Sequence, residues 1–255
     1  MVGIYFSGTG NTKYCVTRLV KGLDESAKVY SIEDKDSIPA ILENDVIIFG
    51  YPIYFSCLPK IVKDYLENNS KAFNKKKIFI LATMGLFSGD GTGCSARLLK
   101  KYGTTILGGI HIQMPDCIGD VKLLKKPLSK NIKIIDKANQ KLDDAVHRIK
   151  KHHYPRQGLG FGSHLAGLFG QRLYFSSKTK KYYTGIKIDY NVCVRCGYCA
   201  KNCPMENISI TKDSIELRNQ CIMCYRCFSY CKEQAITVLG NKVYEQSYIE
   251  KYIKG

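Results

Sequence analysis

The sequence predicts an α/β protein: a doubly wound, five-stranded parallel sheet in its N-terminal part, followed by a small, cysteine-rich α+β unit. Three observations lead there. Over the first 150 residues short β-rich runs alternate with helical patterns, the signature of βαβ units. The chain has 255 residues, 45% apolar and 24% charged, enough to bury a substantial core in one large domain or two modest ones. Eight of its twelve cysteines fall into two like-spaced runs, each position 28 residues from its twin.

Taken in order, strands are expected at Val2–Phe6, Lys28–Ser31, Asp45–Gly50, Lys77–Met84 and Thr105–Ile112. Helices are expected at Thr12–Gly22, Pro59–Asn68, Cys94–Tyr102 and Ser129–Lys151, several with apolar residues three or four apart. Strands alternating with helices in this way place helices on both faces of the sheet. The longest apolar stretches, such as Val46 to Gly50, fall far short of the roughly 20 residues that cross a bilayer. The chain opens on Met1-Val2-Gly3-Ile4 without a basic region leading into an apolar stretch and cleavage site, so no secretory signal is expected. The expectation is a cytoplasmic protein.

Charge marks the boundaries. The chain carries +17, split as 21 basic and 15 acidic residues over 1–144, nine and none over 145–188, and nine and seven over 189–255. The middle segment is therefore a basic junction, and its Gly158, Gly160, Gly162, Gly167 and Gly170 stand among Leu165, Leu168, Phe169 and Leu173. Those apolar residues predict a short anchored helix from Leu165 onward, after an irregular, glycine-rich lead-in. Either the junction docks one domain on the other or it forms a lid over a cofactor. The domains are drawn at 1–150, 151–185 for the junction, 186–240 for the cysteine-rich unit and 241–255 for a C-terminal extension.

Twelve cysteines without an export signal call for metal or redox chemistry rather than disulfides, because the cytosol keeps thiols reduced. The runs are Cys193, Cys196, Cys199, Cys203 followed by Pro204, and Cys221, Cys224, Cys227, Cys231 followed by Lys232. C-x-x-C-x-x-C-x-x-x-C is the bacterial two-cluster ferredoxin spacing, in which the fourth cysteine of each run crosses to the other cluster. The resemblance implies one [4Fe-4S] cluster on Cys193, Cys196, Cys199 and Cys231, and a second on Cys221, Cys224, Cys227 and Cys203. Zinc, which needs only four sulfurs in two C-x-x-C pairs, is the weaker reading. Lys232 in place of a proline implies a small change of turn geometry or potential.

Directly after the first strand comes Ser7-Gly8-Thr9-Gly10-Asn11-Thr12, then a helix. Backbone N–H groups and hydroxyls in such a loop surround a phosphate, and the helix N-terminus adds favourable dipole charge. No Gly-Lys-Ser/Thr follows, so it is not a Walker loop. In isolation the run could equally be an ordinary helix cap.

The sequence here resembles flavodoxin, whose phosphate loop S/T-x-T-G-x-T is matched in full. Two further loops fall where that family contacts its flavin ring: Gly50-Tyr51-Pro52-Ile53-Tyr54-Phe55-Ser56-Cys57-Leu58-Pro59, and Thr83-Met84-Gly85-Leu86-Phe87-Ser88-Gly89-Asp90-Gly91. Both follow strands at their carboxyl ends, where an open α/β sheet binds its ligand. The resemblance implies FMN, with Ser7 to Thr12 on the phosphate. It places Tyr54, Phe55 and Phe87 against the ring, and the backbone of Ile53, Tyr54, Met84 and Gly85 on its polar edge. Pro52, Thr83, Gly89 and Asp90 complete the expected cofactor-binding set. Two departures bear on mechanism. Ser56-Cys57 replaces the glycine whose peptide can turn toward a half-reduced flavin. Lys60 and Lys63 stand after the loop, where flavodoxins favour acidic residues, and this predicts a raised potential for the second reduction.

The remaining signals are weaker. Gly91-Thr92-Gly93-Cys94-Ser95-Ala96 fits G-x-G-x-x-A but lies on the fourth strand's loop rather than in a tight first βα turn, so direct NAD(P)H binding is not expected. Cys15, Cys57, Cys94 and Cys117 are scattered, and His147, His152, His153 and His164 show no metal-ligand spacing. Net positive charge suggests nucleic acid, but no zinc finger, RNA-recognition signature or helix-turn-helix is present. A basic face for an acidic ferredoxin- or flavodoxin-type partner, or an oxidoreductase, accounts for the charge more simply.

The whole chain is similar to the bacterial and archaeal flavodoxin-ferredoxin fusion proteins often labelled EFR-family ferredoxins. That resemblance implies an electron-transfer protein relaying electrons between low-potential carriers and FMN through two [4Fe-4S] clusters. The alternative is an FMN-dependent reductase of a small molecule fed by the internal clusters, with Tyr54, Cys57 or Asp90 as proton donor. A redox sensor that binds an acidic target is a third class.

Overall fold

The computed structural model describes residues 1–54, 57–86, 89–167, 184–211 and 214–253. Five strands, β1 (Val2–Tyr5), β2 (Val29–Ser31), β3 (Val46–Pro52), β4 (Lys77–Met84) and β5 (Thr105–Gln113), form one sheet in the order β2-β1-β3-β4-β5. Every pairing is parallel, with a register shift at Ile78/Phe79 where β4 meets β5. Buried on both faces, the central strands are near-continuous apolar runs, as β3 (VIIFGYP) and β4 (KIFILATM) show.

Helices α1 (Asn11–Leu23) and α5 (Leu128–Lys150) cover one face. Their apolar stripes, Cys15, Val16, Leu19 and Val20 against Ile135, Ala138, Leu142 and Ala145, close one core. Helices α2 (Ser37–Glu43), α3 (Lys60–Asn68) and α4 (Gly91–Lys100) cover the other, around Phe49, Phe73 and Leu99. No helix is expected from the sequence over α2, which contains Pro39. Pro39 lies in the first turn, where its missing N–H would have no helical partner anyway. Strand β3 runs two residues past its expected end, which carries Tyr51 and Pro52 to the rim of the sheet.

The junction begins as an addition to the sheet. Gly109 N–H donates to Pro155 O at 2.7 Å and Gln157 N–H donates to Gly109 O at 2.8 Å, so residues 155–157 run along β5. Helix α6 (Phe161–Gly167) follows and starts four residues before the expected Leu165. It is tied to α4 by His164 Nδ1, 2.9 Å from the fully buried Asp90. The expected Leu168, Phe169 and Leu173 anchors, and Gly170, lie outside the described residues.

The cysteine-rich unit contains β6 (Lys187–Ile188), α7 (Tyr198–Lys201), β7 (Ile208–Ile210), β8 (Ile215–Leu217), α8 (Arg226–Ser229) and β9 (Ile236–Thr237). Two antiparallel ribbons, β6 with β9 and β7 with β8, enclose a third core around Tyr225, Phe228 and Ile236. The chain crosses between the two units twice more. After β5, Cys117 and Ile118 pack into the third core. After β9, the chain returns to the sheet: Ile249 N–H donates to Thr9 O at 3.0 Å, and Tyr252 of α9 (Glu250–Ile253) enters the core beside α5.

Candidate functional site

A cavity of about 350 Å³ opens at the carboxyl ends of β1, β3, β4 and β5. Ser7, Gly8, Thr9, Asn11 and Thr12 form one side, Pro52, Ile53 and Tyr54 a second, and Thr83, Met84 and Gly85 a third. The three loops named from the sequence therefore meet at one place. Gly10, Gly89 and Asp90 do not line it, and Phe55 and Phe87 lie outside the described residues. Asp90 is turned away toward Arg97, 2.7 Å distant, and toward His164.

The first loop is shaped to receive an anion. Gly10 takes a left-handed conformation at φ 88°, which L side chains adopt rarely, and it precedes α1 without any side-chain cap hydrogen bond. The first N–H groups of a 13-residue helix thus point into the loop, at the positive end of its dipole. Thr12 Oγ1 lies 2.7 Å from Thr83 Oγ1, linking the first loop to the third. Asn11 Nδ2 donates to Pro115 O at 2.9 Å, while its Oδ1 is buried without a partner, an acceptor suited to a ligand hydroxyl. These features fit the phosphate and polyol of FMN. The second loop closes on itself, Tyr54 and Cys57 exchanging N–H···O bonds of 3.1 and 2.9 Å, and Cys57 is exposed outside the cavity. Lys60 is paired with Asp64 and Lys63 lies 3.6 Å from Glu67, so the positive field expected from these lysines is offset.

The remaining wall was not anticipated. Met114, Pro115, Asp116, Cys117 and Ile118 line the cavity from the segment after β5, and Met223, Cys224, Tyr225 and Leu239 line it from the cysteine-rich unit. The first group follows a fourth strand end of the same sheet, and that topological rule could have found it. Nothing local marks the second. Burial raises the pKa of the Asp116 carboxyl and drives that of the Tyr54 phenol well above 10, which favours the neutral form of each.

Contact between the two units is close. A Cβ on Gly8 would stand 2.0 Å from Cys224 O, so only glycine lets the first loop lie directly on the second cysteine run. Arg226 Nη2 donates to Ser7 O at 2.9 Å, Nη1 donates to Asn202 O at 3.1 Å, and the guanidinium forms a two-pronged pair with Glu33 at 2.7 and 2.6 Å. Asp120 is buried between the units. Its Oδ2 accepts from the N–H groups of Val238, Leu239 and Gly240 at 2.6, 2.8 and 3.0 Å, and its Oδ1 accepts from the Tyr225 hydroxyl at 2.9 Å.

Cys199 lies within electrostatic reach of Cys193, Cys231 and Cys196, Cys224 of Cys221 and Cys203, and Cys227 of Cys224, Cys221, Cys203 and Cys199. Burial pushes the Cys199 thiol up to about 11 and the Cys224 thiol up to about 12. Thiolates at such positions need a strongly electropositive group to hold them, which iron supplies. Met223 N–H donates to Cys221 Sγ at 3.4 Å and Asn207 N–H to Cys203 Sγ at 3.3 Å, the kind of bond that tunes cluster potential. Among the described residues no three His, Cys, Asp or Glu side chains converge as a single ion requires. No helix among the described residues is long and apolar enough to cross a membrane.

Residues 3–106 match the family described as "Flavodoxin domain", and residues 185–235 match the "4Fe-4S dicluster domain". An uncharacterized protein of Methanocaldococcus jannaschii, MJ0749, is 40% identical over 52 residues, which is 20% of either chain. The FMN-dependent NADH:quinone oxidoreductase 4 of Bacillus cereus is 30% identical over 105 residues, 34% of this chain and 50% of that one. The chain thus spans half or less of these relatives. The two-electron-reduced flavodoxin of Megasphaera elsdenii, a solved structure, is 22% identical over 55% of this chain and 99% of its own, with a TM-score of 0.41.

Proposed function

We propose that this chain, a flavodoxin domain followed by a 4Fe-4S dicluster domain, relays electrons between low-potential carriers and an FMN held in the cavity, through two [4Fe-4S] clusters. Cys193, Cys196, Cys199 and Cys231 would hold one cluster, and Cys221, Cys224, Cys227 and Cys203 the other. The observation that supports this most is the shared wall. Met223, Cys224 and Tyr225 line the same cavity as the phosphate-type loop, and the backbones of Gly8 and Cys224 touch. A flavin there supplies two-electron chemistry and the clusters one-electron steps.

The chain's own part is placement and shielding. Ser7 to Thr12 bind the phosphate, and Asn11 Oδ1 accepts from a polyol hydroxyl. Tyr54 lines the cavity beside the wall that Cys224 supplies, where its ring takes the place of water. Arg226 and Asp120 fix the distance between the two units. Cytoplasmic placement, with thiols kept reduced, suits this role.

A second reading, an FMN-dependent reductase of a small molecule, is favoured by the Bacillus cereus relative's name. The cavity volume of about 350 Å³ sits at the low end of ordinary ligand sites, roughly 300 to 1,000 Å³, and so suits one resident group better than a group plus substrate. The test is an anaerobic titration of the reconstituted protein, following flavin absorbance and cluster EPR together. A relay holds FMN and about eight irons and stays reduced until a protein acceptor is added. Rapid reoxidation by a small quinone or similar oxidant would make it a reductase, and absence of flavin would remove the basis of both readings.

A further inference from the structure

The two cysteine repeats share a backbone but not their surroundings. Helices α7 and α8 start 28 residues apart, at Tyr198 and Arg226. Arg195 and its twin Met223 both take φ 55°, and Glu206 and its twin Gln234 take 50° and 53°. Side chains at twin positions therefore occupy matching faces of one pseudo-symmetric unit.

In the second repeat that face is covered. Ile222 and Cys224, 6% and 8% exposed, belong to the core of the flavodoxin domain, and Arg226 grips Glu33 and Ser7. In the first repeat the twins are bare: Val194 is 64% exposed, Tyr198 41%, and Cys196 is exposed between them. Tyr190 and Val192 extend the patch. Single exposed apolar residues are ordinary, but four within nine positions along a cysteine run form a patch.

We propose that the face formed by Tyr190, Val192, Val194, Cys196 and Tyr198 docks a separate, acidic one-electron carrier protein, as its twin docks the flavodoxin domain. This rests on the relay reading above. The covered twin shows what fits: an apolar centre with a carboxylate, Glu33, at its edge. Along the stretch that carries the bare face, residues 187–201, the exposed Lys187, Arg195 and Lys201 outnumber Asp189, and the whole chain carries +17. Such a surface attracts an acidic protein and repels a second copy of itself. Each encounter moves one electron: the reduced carrier is oxidised by one, this protein is reduced by one, and no bond or proton changes hands.

The test is anaerobic stopped-flow reduction of the holoprotein, with a small acidic bacterial ferredoxin as probe and dithionite as the reagent that needs no docking. Val194→Glu and Lys201→Glu are expected to lower the second-order rate with ferredoxin at least tenfold, and salt to lower it for the unaltered protein, while dithionite reduction is unchanged. Tyr190→Ser, away from the ligands, serves if Val194→Glu loses iron. Equal rates with ferredoxin for all variants, or no reduction by ferredoxin of a protein that dithionite reduces, would overturn the docking site. Clusters that take electrons from dithionite but never pass them to flavin would instead overturn the relay.

Discussion

Replacing Asp120 by alanine is expected to be the most damaging single change between the two units. Its buried carboxylate accepts four hydrogen bonds, three from the consecutive N–H groups of Val238, Leu239 and Gly240 and one from Tyr225. A hydrogen bond to a charged group contributes about 1.5–3 kcal/mol, and each buried donor left unpaired costs about 1–3 kcal/mol. The bonds share one acceptor and are not additive, so a total near 4 kcal/mol is the reasonable magnitude for Asp120→Ala. Asparagine can keep its oxygen toward the three N–H groups while the Tyr225 hydroxyl turns to accept from the amide. The charge is lost and the Tyr225 O–H gives up its acceptor, about 1–2 kcal/mol in all. The assay is anaerobic urea unfolding of the holoprotein followed by cluster absorbance. With a slope of about 3 kcal/mol/M, the midpoint falls by more than 1 M for alanine and by about half a molar unit for asparagine. A loss below about 1 kcal/mol for alanine, or equal losses for the two variants, would refute the clamp.

Three further outcomes are expected. Arg226→Ala should cost about 3 kcal/mol and, in a double-mutant cycle with Glu33→Ala, show a coupling of about 1–2 kcal/mol, because the pair is largely buried and two-pronged. Additive losses would mean that Ser7 and Asn202 alone hold the guanidinium. Gly8→Ala should weaken FMN binding at least tenfold in a fluorescence titration, since its Cβ would meet Cys224 O at 2.0 Å, whereas Gly162→Ala, with nothing within 4 Å, should leave it unchanged. Burial and the nearby Lys141 push the pKa of His111 down to about 4, so the unfolded chain takes up the proton first as pH falls. The stability of its neutral state is complete above about pH 6.5 and is lost toward pH 4, by up to about 3 kcal/mol. His111→Gln should flatten that part of the profile relative to the unaltered protein.

The site was legible where its residues are consecutive. Ser7 to Thr12, Pro52 to Tyr54 and Thr83 to Gly85 each follow a strand, and β-sheet topology alone brings strand ends together. The second wall was not legible, because Cys224 reaches the cavity through tertiary packing across more than 200 residues of chain. Asp120 and Arg226 carry no local pattern either: a carboxylate beside glycine and an arginine inside a cysteine run read as surface charges until their partners are seen. Helix α6 starts four residues before the expected Leu165 because Gly162 is helical rather than part of the irregular lead-in, while Gly158 and Gly160 stay outside it.

The duplication makes the difference between the two cysteine runs informative. Spacing alone makes them equivalent, and the backbone confirms it at Arg195 and Met223 and at Glu206 and Gln234. What separates them is the residue after each left-handed turn, Tyr198 in one run and Arg226 in the other. The arginine can donate to Ser7 O and Glu33 together, and so it selects which twin face is fastened to the flavodoxin domain. The tyrosine instead rests beside Tyr230, which in turn stacks on Tyr248 at 5.3 Å, and leaves its own face to solvent. One repeat is thereby committed to the internal contact and the other is left available, which is the arrangement an electron relay needs: one fixed neighbour and one that comes and goes.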